Sequence, residues 1–181
     1  MDMYNIKWTR LQAEIFRLLA IKSGAILTLR NTSRLLKKTP TAVSNALAEL
    51  KDEKVIKVEK SKEMNLLSIQ FNRDNPRSVE LKRAENLKLI YESGLSDFLR
   101  ENFPGCTTIL FGSYSRGEDT IDSDIDIAVI GIKEKEIDLA QFDKKLERKT
   151  IINFYSSFKG IHKHLLENIL NGIVLNGGVE I

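Results

Sequence analysis

The apolar residues of the first 76 positions recur at first with helical spacing and then in alternation with polar residues. Helical spacing, together with side chains that can cap a helix, predicts three helices. The alternation that follows predicts two strands joined by a charged turn. We therefore expect three helices followed by a β-hairpin. The predicted helices start at the capping box Thr9–Gln12, at Asn31 or Thr32, and at Thr39–Pro40, and the predicted strands cover residues 55–59 and 66–71.

The polar, proline-containing run 71–78 is the predicted boundary between two domains, residues 1–76 and 77–181. Beyond it, helical and strand-like patterns alternate, so we expect a two-domain α/β (α+β) chain. The predicted elements are a helix capped by Ser78 that buries Leu81, Ala84, Leu87 and Ile90, strands over 106–111, 123–130 and 150–155, a helix over 133–148, and a closing helix before residues 172–175.

Charge is distributed unevenly between the two predicted domains. Residues 1–76 contain 14 Lys and Arg against 8 Asp and Glu, whereas residues 77–181 contain 14 against 17. A basic segment favours a polyanionic partner, and a segment rich in carboxylates can collect cations. The overall net charge of +3 hides this division.

The composition excludes several classes of protein. With 42% hydrophobic and 29% charged residues, we expect a soluble, packed chain, and no apolar run approaches the length needed to cross a bilayer. The segment Met1–Arg10 lacks the apolar core of a signal peptide, so we expect a cytoplasmic protein. The single Cys106 rules out an internal disulfide, and His162 and His164 are expected at the surface or the edge of a core.

The N-terminal pattern resembles the winged helix-turn-helix family. The resemblance rests on Leu29–Leu50 and on Lys54–Ile56, which would lead into the wing. It implies that Pro40–Asp52 is a recognition helix and that the domain binds double-stranded DNA. The alternative is a domain that binds protein or forms a homodimer, with its lysines on an ordinary solvated face. The implied DNA contacts are Thr41, Ser44 and Asn45 to bases or phosphates, and Arg34, Lys37, Lys38, Lys57, Lys60 and Lys62 to phosphates.

The second predicted domain contains two short motifs with complementary chemistry. Asp124 and Asp126 lie two residues apart at a predicted strand, so both carboxylates project from one face. Carboxylates on one face repel each other unless a cation lies between them, and Mg²⁺ prefers such oxygen ligands. Gly112 and Ser113 follow the preceding strand, where a glycine allows a phosphate to approach the backbone and the hydroxyl can donate a hydrogen bond.

The combined pattern resembles the nucleotidyltransferase superfamily that includes DNA polymerase beta, and especially its minimal members. The matching residues are Gly112, Ser113, Arg116, Gly117, Ser123, Asp124 and Asp126, and the resemblance covers about residues 80–181. It implies a mixed sheet flanked by helices. It also implies a nucleoside triphosphate held at Gly112-Ser113, and two Mg²⁺ (or Mn²⁺) ions held by Asp124 and Asp126 while an acceptor hydroxyl attacks the α-phosphate. Arg116 would either neutralise phosphate charge or pin the turn between the two strands.

The chain departs from this family at the third carboxylate that active members carry on a later strand. The corresponding residue here is Asn153, which brings no negative charge and cannot act as a base at neutral pH. Asp138, Asp143 and Glu147 fall in a predicted helix, and nothing in the sequence aims them at the site.

Two functional hypotheses follow from the motifs and from this departure. The chain either transfers a nucleoside monophosphate to an unknown acceptor, or it is a catalytically impaired relative that acts as a DNA-binding regulator. Some minimal nucleotidyltransferases act as antitoxins with a separate helical protein, so a protein acceptor or a toxin-like partner is a further possibility. Nothing in the sequence fixes the oligomeric state, and a homodimer is compatible with it.

Overall fold

The computed structural model describes residues 8–60 and 66–179 of the chain, and Lys62 lies outside these residues. The chain divides into two compact units between Ser78 and Val79. This division lies two residues beyond the boundary predicted from the sequence.

The N-terminal unit is a winged helix. Its three-stranded sheet has the order β1-β3-β2 and is antiparallel throughout. The two longer strands form the hairpin predicted from the alternating pattern, whereas the two-residue strand β1 was not predicted. The elements are α1 (Arg10–Ile21), β1 (Leu27–Thr28), α2 (Leu29–Leu36), α3 (Pro40–Asp52), β2 (Ile56–Lys60) and β3 (Leu67–Phe71).

Side-chain caps fix where the helices of this unit begin. The predicted capping box of α1 is present, since the Thr9 hydroxyl accepts from Gln12 N–H while the Gln12 side chain accepts from Thr9 N–H. Thr39 caps α3, with Pro40 as its first residue, as predicted. The predicted start of α2 at Asn31 or Thr32 is wrong, because Thr28 caps the helix and it begins at Leu29.

The core of the N-terminal unit lies between α1, α3 and the sheet. On α1, Gln12 and Phe16 are buried, whereas Leu11 and Leu18 are only half-buried. Gln12 is accommodated because its side-chain amide donates to Glu49 Oε2 at 2.7 Å. The other buried core residues of the unit are Ile15, Leu19, Ala20, Val43, Leu47, Leu50, Val55, Ile56, Ile69 and Phe71.

The C-terminal unit is a four-stranded mixed sheet flanked by helices, as predicted. The strand order is β6-β5-β4-β7, with β5 and β6 parallel and the other pairs antiparallel. The elements are α4 (Pro76–Ser93, which contains the division between the units), α5 (Leu95–Asn102), β4 (Thr107–Phe111), α6 (Gly112–Arg116), β5 (Ile125–Ile130), α7 (Ala140–Leu146), β6 (Thr150–Tyr155), a 3₁₀ turn (Phe158–Gly160), α8 (Lys163–Leu170) and β7 (Ile173–Asn176).

Each face of this sheet has its own hydrophobic core. One face carries Ile125, Ile127 and Val129 of β5 and packs against residues of α4, α5 and α7. The opposite face carries Ala128 and Ile130 and packs against α8 and the 3₁₀ turn. Because residues alternate between faces along a strand, Asp126 lies on the same face as Ala128.

Three predictions for this unit are wrong in whole or in part. Ser78 does not cap the first helix, because α4 begins at Pro76 and the Asn75 carboxamide oxygen accepts from Arg77 N–H. The predicted apolar stripe of α4 is displaced, as described below. The predicted helix over 133–148 is only Ala140–Leu146, since residues 133–139 form no helix. No helix of the described residues is long and apolar enough to span a membrane.

Candidate functional site

The predicted phosphate-binding turn is the junction between β4 and α6. β4 ends at Phe111, and Gly112 follows it with φ +75°. Residues that carry a Cβ rarely adopt this left-handed conformation. A Cβ built on Gly112 would also lie 2.5 Å from Oδ2 of Asp126. The turn therefore requires glycine both for its backbone conformation and for the close approach of the Asp126 carboxylate.

The sheet register brings the second motif beside this turn. Asp126 pairs with Phe111, the last residue of β4, and Asp124 immediately precedes β5. Asp126 is half-buried, whereas Asp124 is exposed. The structure thus brings Gly112 and Asp126 into contact and places Asp124 two residues away along an extended segment.

The two carboxylates have no cationic partner in the part of the chain that the structure describes. Within residues 8–60 and 66–179, neither Asp124 nor Asp126 accepts a hydrogen bond or forms an ion pair through its side chain. Burial, and then the charge of Asp124, raises the pKa of Asp126 above its ordinary value. The protein therefore holds a partly desolvated negative charge beside a second one without compensating either.

Local hydrogen bonds hold both the turn and the segment that leads to Asp124. The Ser115 hydroxyl donates to the Gly112 carbonyl at 2.8 Å, and Ser123 Oγ accepts from Thr120 N–H at 3.0 Å. Ser113 differs, because its half-buried hydroxyl makes no hydrogen bond to any residue that the structure describes. This hydroxyl is available to a ligand.

Arg116 is engaged with other side chains. Its Nε donates to Glu118 Oε2 at 2.8 Å, and its Nη1 donates to Asn168 Oδ1 of α8 at 3.0 Å. These contacts match the hypothesis that Arg116 pins the turn. Its predicted contact with phosphate stays a prediction, and Glu118 would compete for the same guanidinium.

No third carboxylate lies on the strand next to Asp126. The parallel register places Ile151 directly opposite Asp126, and Asn153 opposite Ala128 on the same face. Asn153 is therefore a diagonal neighbour of Asp126, at a distance that long side chains can bridge. Among the described residues, no group of three or more His, Cys, Asp or Glu side chains could hold a metal ion.

Two of the acidic residues of 133–148, Asp138 and Asp143, are engaged with backbone N–H groups, and Glu147 is exposed at the end of α7. Phe142 and Leu146 of α7 pack on the face of the sheet opposite Asp126. Asp143 accepts from Thr150 N–H at 2.9 Å, and Asp138 accepts from Ala140 N–H at 2.9 Å. These carboxylates support local backbone structure and do not supply the missing ligand.

A buried polar cluster beside this region was missed by the sequence analysis. Lys82 and Asn86 of α4 are buried and contact Asp119, which is also buried. The predicted stripe of α4 is therefore wrong in part. Ile90 is fully buried and Leu81 and Leu87 are half-buried, but Ala84 is exposed. The helix also buries Lys82 and Asn86, one turn apart. The spacing of four between Lys82 and Asn86 was the available signal, but polar residues at that spacing ordinarily indicate a solvated face.

The predicted DNA contacts of the N-terminal unit lie on α2, α3 and the hairpin. Thr41, Ser44 and Asn45 are exposed on α3, opposite its buried residues Val43 and Leu47. Arg34, Lys37 and Lys38 are exposed at the end of α2. The predicted positions thus form an exposed surface at the junction of the two helices.

Two of the predicted basic contacts already have acidic partners. Lys57 is half-buried and paired with Asp74, and that pairing lowers the pKa of Asp74 below its ordinary value. Lys38 lies 3.9 Å from a Glu14 carboxylate oxygen. Lys60 is exposed at the end of β2, and the predicted contact of Lys62 lies outside the described residues. Arg34, Lys37 and Lys60 are therefore the better candidates for phosphate contacts.

The donor set at Asp124 and Asp126 fits a hard divalent cation. Mg²⁺ is commonly bound through one or two carboxylates, with substrate phosphates and water completing its coordination. The two carboxylates here have no other partner among the described residues, and the raised pKa of Asp126 shows that its charge is poorly compensated. A cation at this position would relieve the repulsion between them.

Fold comparison found MarR-type regulators of low similarity. A zinc-responsive MarR family member, ZitR of Lactococcus lactis, is 22% identical over 54% of this chain and 67% of its own, with a TM-score of 0.39. The adhesin competence repressor AdcR of Streptococcus pyogenes is 17% identical over 55% and 70%, with a TM-score of 0.41. A ZitR mutant in complex with DNA is 24% identical over 58% and 68%, with a TM-score of 0.39. Likenesses at this level carry no inference about this chain.

Sequence comparison gives one family match, which lies within the C-terminal unit. A search of the curated proteins found no match. The family described as the nucleotidyltransferase domain matches residues 92–175, a range that contains both the Gly112-Ser113 turn and the two aspartates. Residues 92–175 of this chain are therefore similar to the nucleotidyltransferase domain family.

Proposed function

We propose that the C-terminal unit binds a nucleoside triphosphate together with Mg²⁺ or Mn²⁺ and transfers the nucleoside monophosphate to an acceptor hydroxyl. A bond forms between the acceptor oxygen and the α-phosphorus, the bond between the α- and β-phosphates breaks, and pyrophosphate leaves. One observation carries the proposal. The carboxylate of Asp126 is half-buried beside that of Asp124, packs against Gly112, and has no partner among the described residues.

A comparison within the same unit supports this assignment. Asp119 is a fully buried carboxylate, and it is paired with Lys82 and with Arg148. The fold thus compensates the carboxylate that it buries most, as burial of a charge normally requires. Asp126 has no such partner among the described residues, which is expected of a residue that acquires its counter-ion from a ligand.

Each residue of the site has a separate role in the proposal. Asp124 and Asp126 would hold the divalent cation, which when bound neutralises phosphate charge and polarises the phosphorus centre. The Gly112 backbone leaves room for the phosphates, and the Ser113 hydroxyl donates a hydrogen bond to them. The phosphate-binding turn and the cation-binding residues are in direct contact, since Gly112 packs against the carboxylate of Asp126.

The residues opposite Asp126 set the expected rate. Ile151 and Asn153 supply no carboxylate that could accept the proton of the attacking hydroxyl. We expect transfer that depends on the cation and on substrate positioning, without a general base on β6. General base catalysis typically contributes about 10²–10⁴-fold, so slow turnover is expected.

We further propose that the N-terminal unit binds duplex DNA through the exposed surface of α2 and α3. Short polar side chains on α3 can reach base edges, and the neighbouring cations can contact phosphates. The basic excess of this segment, 14 Lys and Arg against 8 Asp and Glu over residues 1–76, supports the same partner.

A second candidate function is favoured by the same two residues of β6. If Ile151 and Asn153 prevent turnover, the C-terminal unit would bind the nucleotide without transferring it, and the chain would act as a nucleotide-responsive DNA-binding regulator. In this second function the cation and the nucleotide still bind at Asp124 and Asp126. It differs from the first only because no nucleoside monophosphate is transferred to an acceptor.

Transfer can be tested with the full chain, each of the four α-labelled NTPs, Mg²⁺ or Mn²⁺, and cell extract as the source of acceptors. Label attached to a protein or nucleic acid in the presence of the wild-type chain, and lost with Asp124→Asn, is the expected result. Asp122→Asn is the matched control, because Asp122 is an exposed carboxylate in the same loop and lies outside the strand.

The absence of labelled product must be separated from the absence of binding. Binding of Mn²⁺ and a non-hydrolysable NTP, measured by equilibrium titration, should be present in the wild type and lost in Asp124→Asn. Binding without transfer would support the regulator, and Asn153→Asp would then be expected to restore measurable transfer. Absence of both binding and transfer in the wild type contradicts the proposed function.

A further inference from the structure

The buried cluster around Asp119 lies between the two halves of the candidate site along the chain. Asp119 is in the segment that joins α6 to β5, two residues after Gly117 and five residues before Asp124. The side chains of Asp119 and Lys82 are 1% and 0% exposed. We propose that Asp119, held by Lys82, Asn86 and Arg148, is a positioning residue that sets the distance between the phosphate-binding turn and the cation-binding carboxylates. This inference rests on the proposed function.

The contacts of Lys82 and Asn86 tie the segment to α4. Lys82 Nζ donates to the Asp119 carbonyl at 2.6 Å and also to its carboxylate. Asn86 Nδ2 donates to Asp119 Oδ1 at 2.7 Å and to the Tyr114 carbonyl at 2.9 Å. Because Tyr114 belongs to α6, the Asn86 side chain connects the helix of the phosphate-binding turn with the segment that leads to Asp124.

Arg148 connects the same carboxylate to the start of β6. Its Nη2 lies 3.6 Å from Asp119 Oδ2, and its Nη1 donates to the Glu147 carbonyl at 2.8 Å. The backbone carbonyl of the next residue, Lys149, accepts from Ile125 N–H at 2.8 Å. Ile125 is the first residue of β5. The Asp119 carboxylate therefore contacts α4 and Arg148 directly. It is linked to α6 through Asn86, and to the first residues of β5 and β6 through the backbone that follows Arg148.

Backbone packing holds the other end of α6 against α4. Gly117 ends α6 with φ +76°, and a Cβ built on it would lie 2.4 Å from the Val79 carbonyl oxygen and 2.8 Å from Arg83 N. α6 is thus clamped at its end by this contact and through Tyr114 by Asn86. Residues 120–124 complete the segment between α6 and β5, and Asp119 anchors the start of these residues.

The Lys82–Asp119 ion pair is buried, and a buried ion pair contributes little net stability. Desolvation of the two charges offsets much of their attraction, so apolar side chains of similar volume would stabilise the fold at least as well. A charged, hydrogen-bonded cluster has fixed directions, however, and apolar contacts do not. Its place between the two motifs points to a role in geometry.

The test uses the full chain and compares Asp119→Asn with a control that destabilises the same unit without touching the loop. Leu99→Ala is this control, because Leu99 is fully buried in the core on the other face of the sheet. Asn86→Ala is a second test variant that leaves both charges of the Lys82–Asp119 pair in place. Three quantities are measured: the melting temperature, Mn²⁺ affinity by electron paramagnetic resonance, and hydrogen exchange of residues 120–124.

If Asp119 positions the site, Asp119→Asn and Asn86→Ala weaken Mn²⁺ binding at least tenfold and accelerate exchange of residues 120–124 more than that of β5. Leu99→Ala should lower the melting temperature yet leave Mn²⁺ affinity within about twofold. The inference is overturned if Asn86→Ala leaves Mn²⁺ affinity unchanged. It is also overturned if Leu99→Ala weakens Mn²⁺ binding as much as Asp119→Asn and Asn86→Ala do. If Asp119→Asn does not fold, Asn86→Ala decides. If the wild type binds no Mn²⁺, the proposed function fails, and exchange of residues 120–124 still decides whether the cluster fixes the loop.

Discussion

Replacing Gly112 with alanine perturbs the candidate site at a single point. The added methyl group would lie 2.5 Å from Asp126 Oδ2, 3.3 Å from Cγ and 3.4 Å from Cβ of the same residue. All three atoms belong to one side chain, so the clash is relieved by moving the Asp126 carboxylate. Gly94→Ala is a matched control, since Gly94 has φ +83° and no atom within 4 Å of its built Cβ.

The two substitutions share one cost and differ in another. A residue with a Cβ in the left-handed region costs about 1–2 kcal/mol, and this applies to both variants. Both should therefore lose a similar free energy of unfolding. Only Gly112→Ala displaces a predicted cation ligand, and a displacement on the order of 1 Å in a site of this kind can cost about 10²-fold.

The assay combines urea unfolding with titration of Mn²⁺ and a non-hydrolysable NTP. We expect both variants to lose about 1–2 kcal/mol of stability. Gly112→Ala should in addition lose at least a factor of ten in affinity, which corresponds to about 1.4 kcal/mol. Equal affinities in the two variants would refute the reasoning, because they would show that the contact between Gly112 and Asp126 does not set the position of the ligand.

Three further results are expected. Since burial and Asp124 raise the pKa of Asp126, the folded state binds this proton more tightly than the unfolded state, so ionised Asp126 destabilises the metal-free protein as pH rises through that pKa. Asp126→Asn should therefore raise the melting temperature at pH 7 without metal, and a lower value would contradict the sign. Gly117→Ala should destabilise by about 2–4 kcal/mol in urea unfolding, because its Cβ would meet backbone atoms that cannot turn aside. Arg34→Ala and Lys37→Ala should each reduce the salt dependence of DNA binding by about one unit of slope, and an unchanged slope would exclude the residue from the interface.

The local geometry of the candidate site could be predicted from the sequence because it depends on local spacing. The two-residue separation of Asp124 and Asp126 and the glycine after a strand are properties of short segments. The same holds for Thr39 and Pro40, whose side chains determine the start of α3 within one turn. Such features are fixed by neighbours in the chain, and the structure shows them where the pattern indicates.

Features that depend on distant partners could not be predicted. Lys82 and Asp119 are 37 residues apart, and each taken alone is typical of a solvated surface. β1 contains only two residues and exists through its pairing with β3. The relative register of β5 and β6, which places Ile151 opposite Asp126, is likewise decided by packing across the sheet.

The helix over 133–148 shows a different kind of error. Its N-terminal part contains apolar residues at Ile137 and Leu139, which are two apart and pack against the core from a segment without regular structure. Helical spacing resumes only with Phe142 and Leu146, four apart in α7. The sequence predicts one long helix because the charged residues Lys133–Glu136 are good helix formers and precede a short amphipathic helix.

We propose that Asp124 and Asp126 hold a divalent cation beside Gly112, and that the phosphates of a nucleotide bind to this cation and to the Gly112-Ser113 turn. The decisive measurement is a crystal structure of the full chain with a non-hydrolysable NTP and Mg²⁺. We expect a metal ion liganded by both carboxylates, and a triphosphate in contact with the Gly112 backbone and the Ser113 hydroxyl. A nucleotide bound elsewhere, or a bound triphosphate without metal at the two carboxylates, would show that the proposal is wrong.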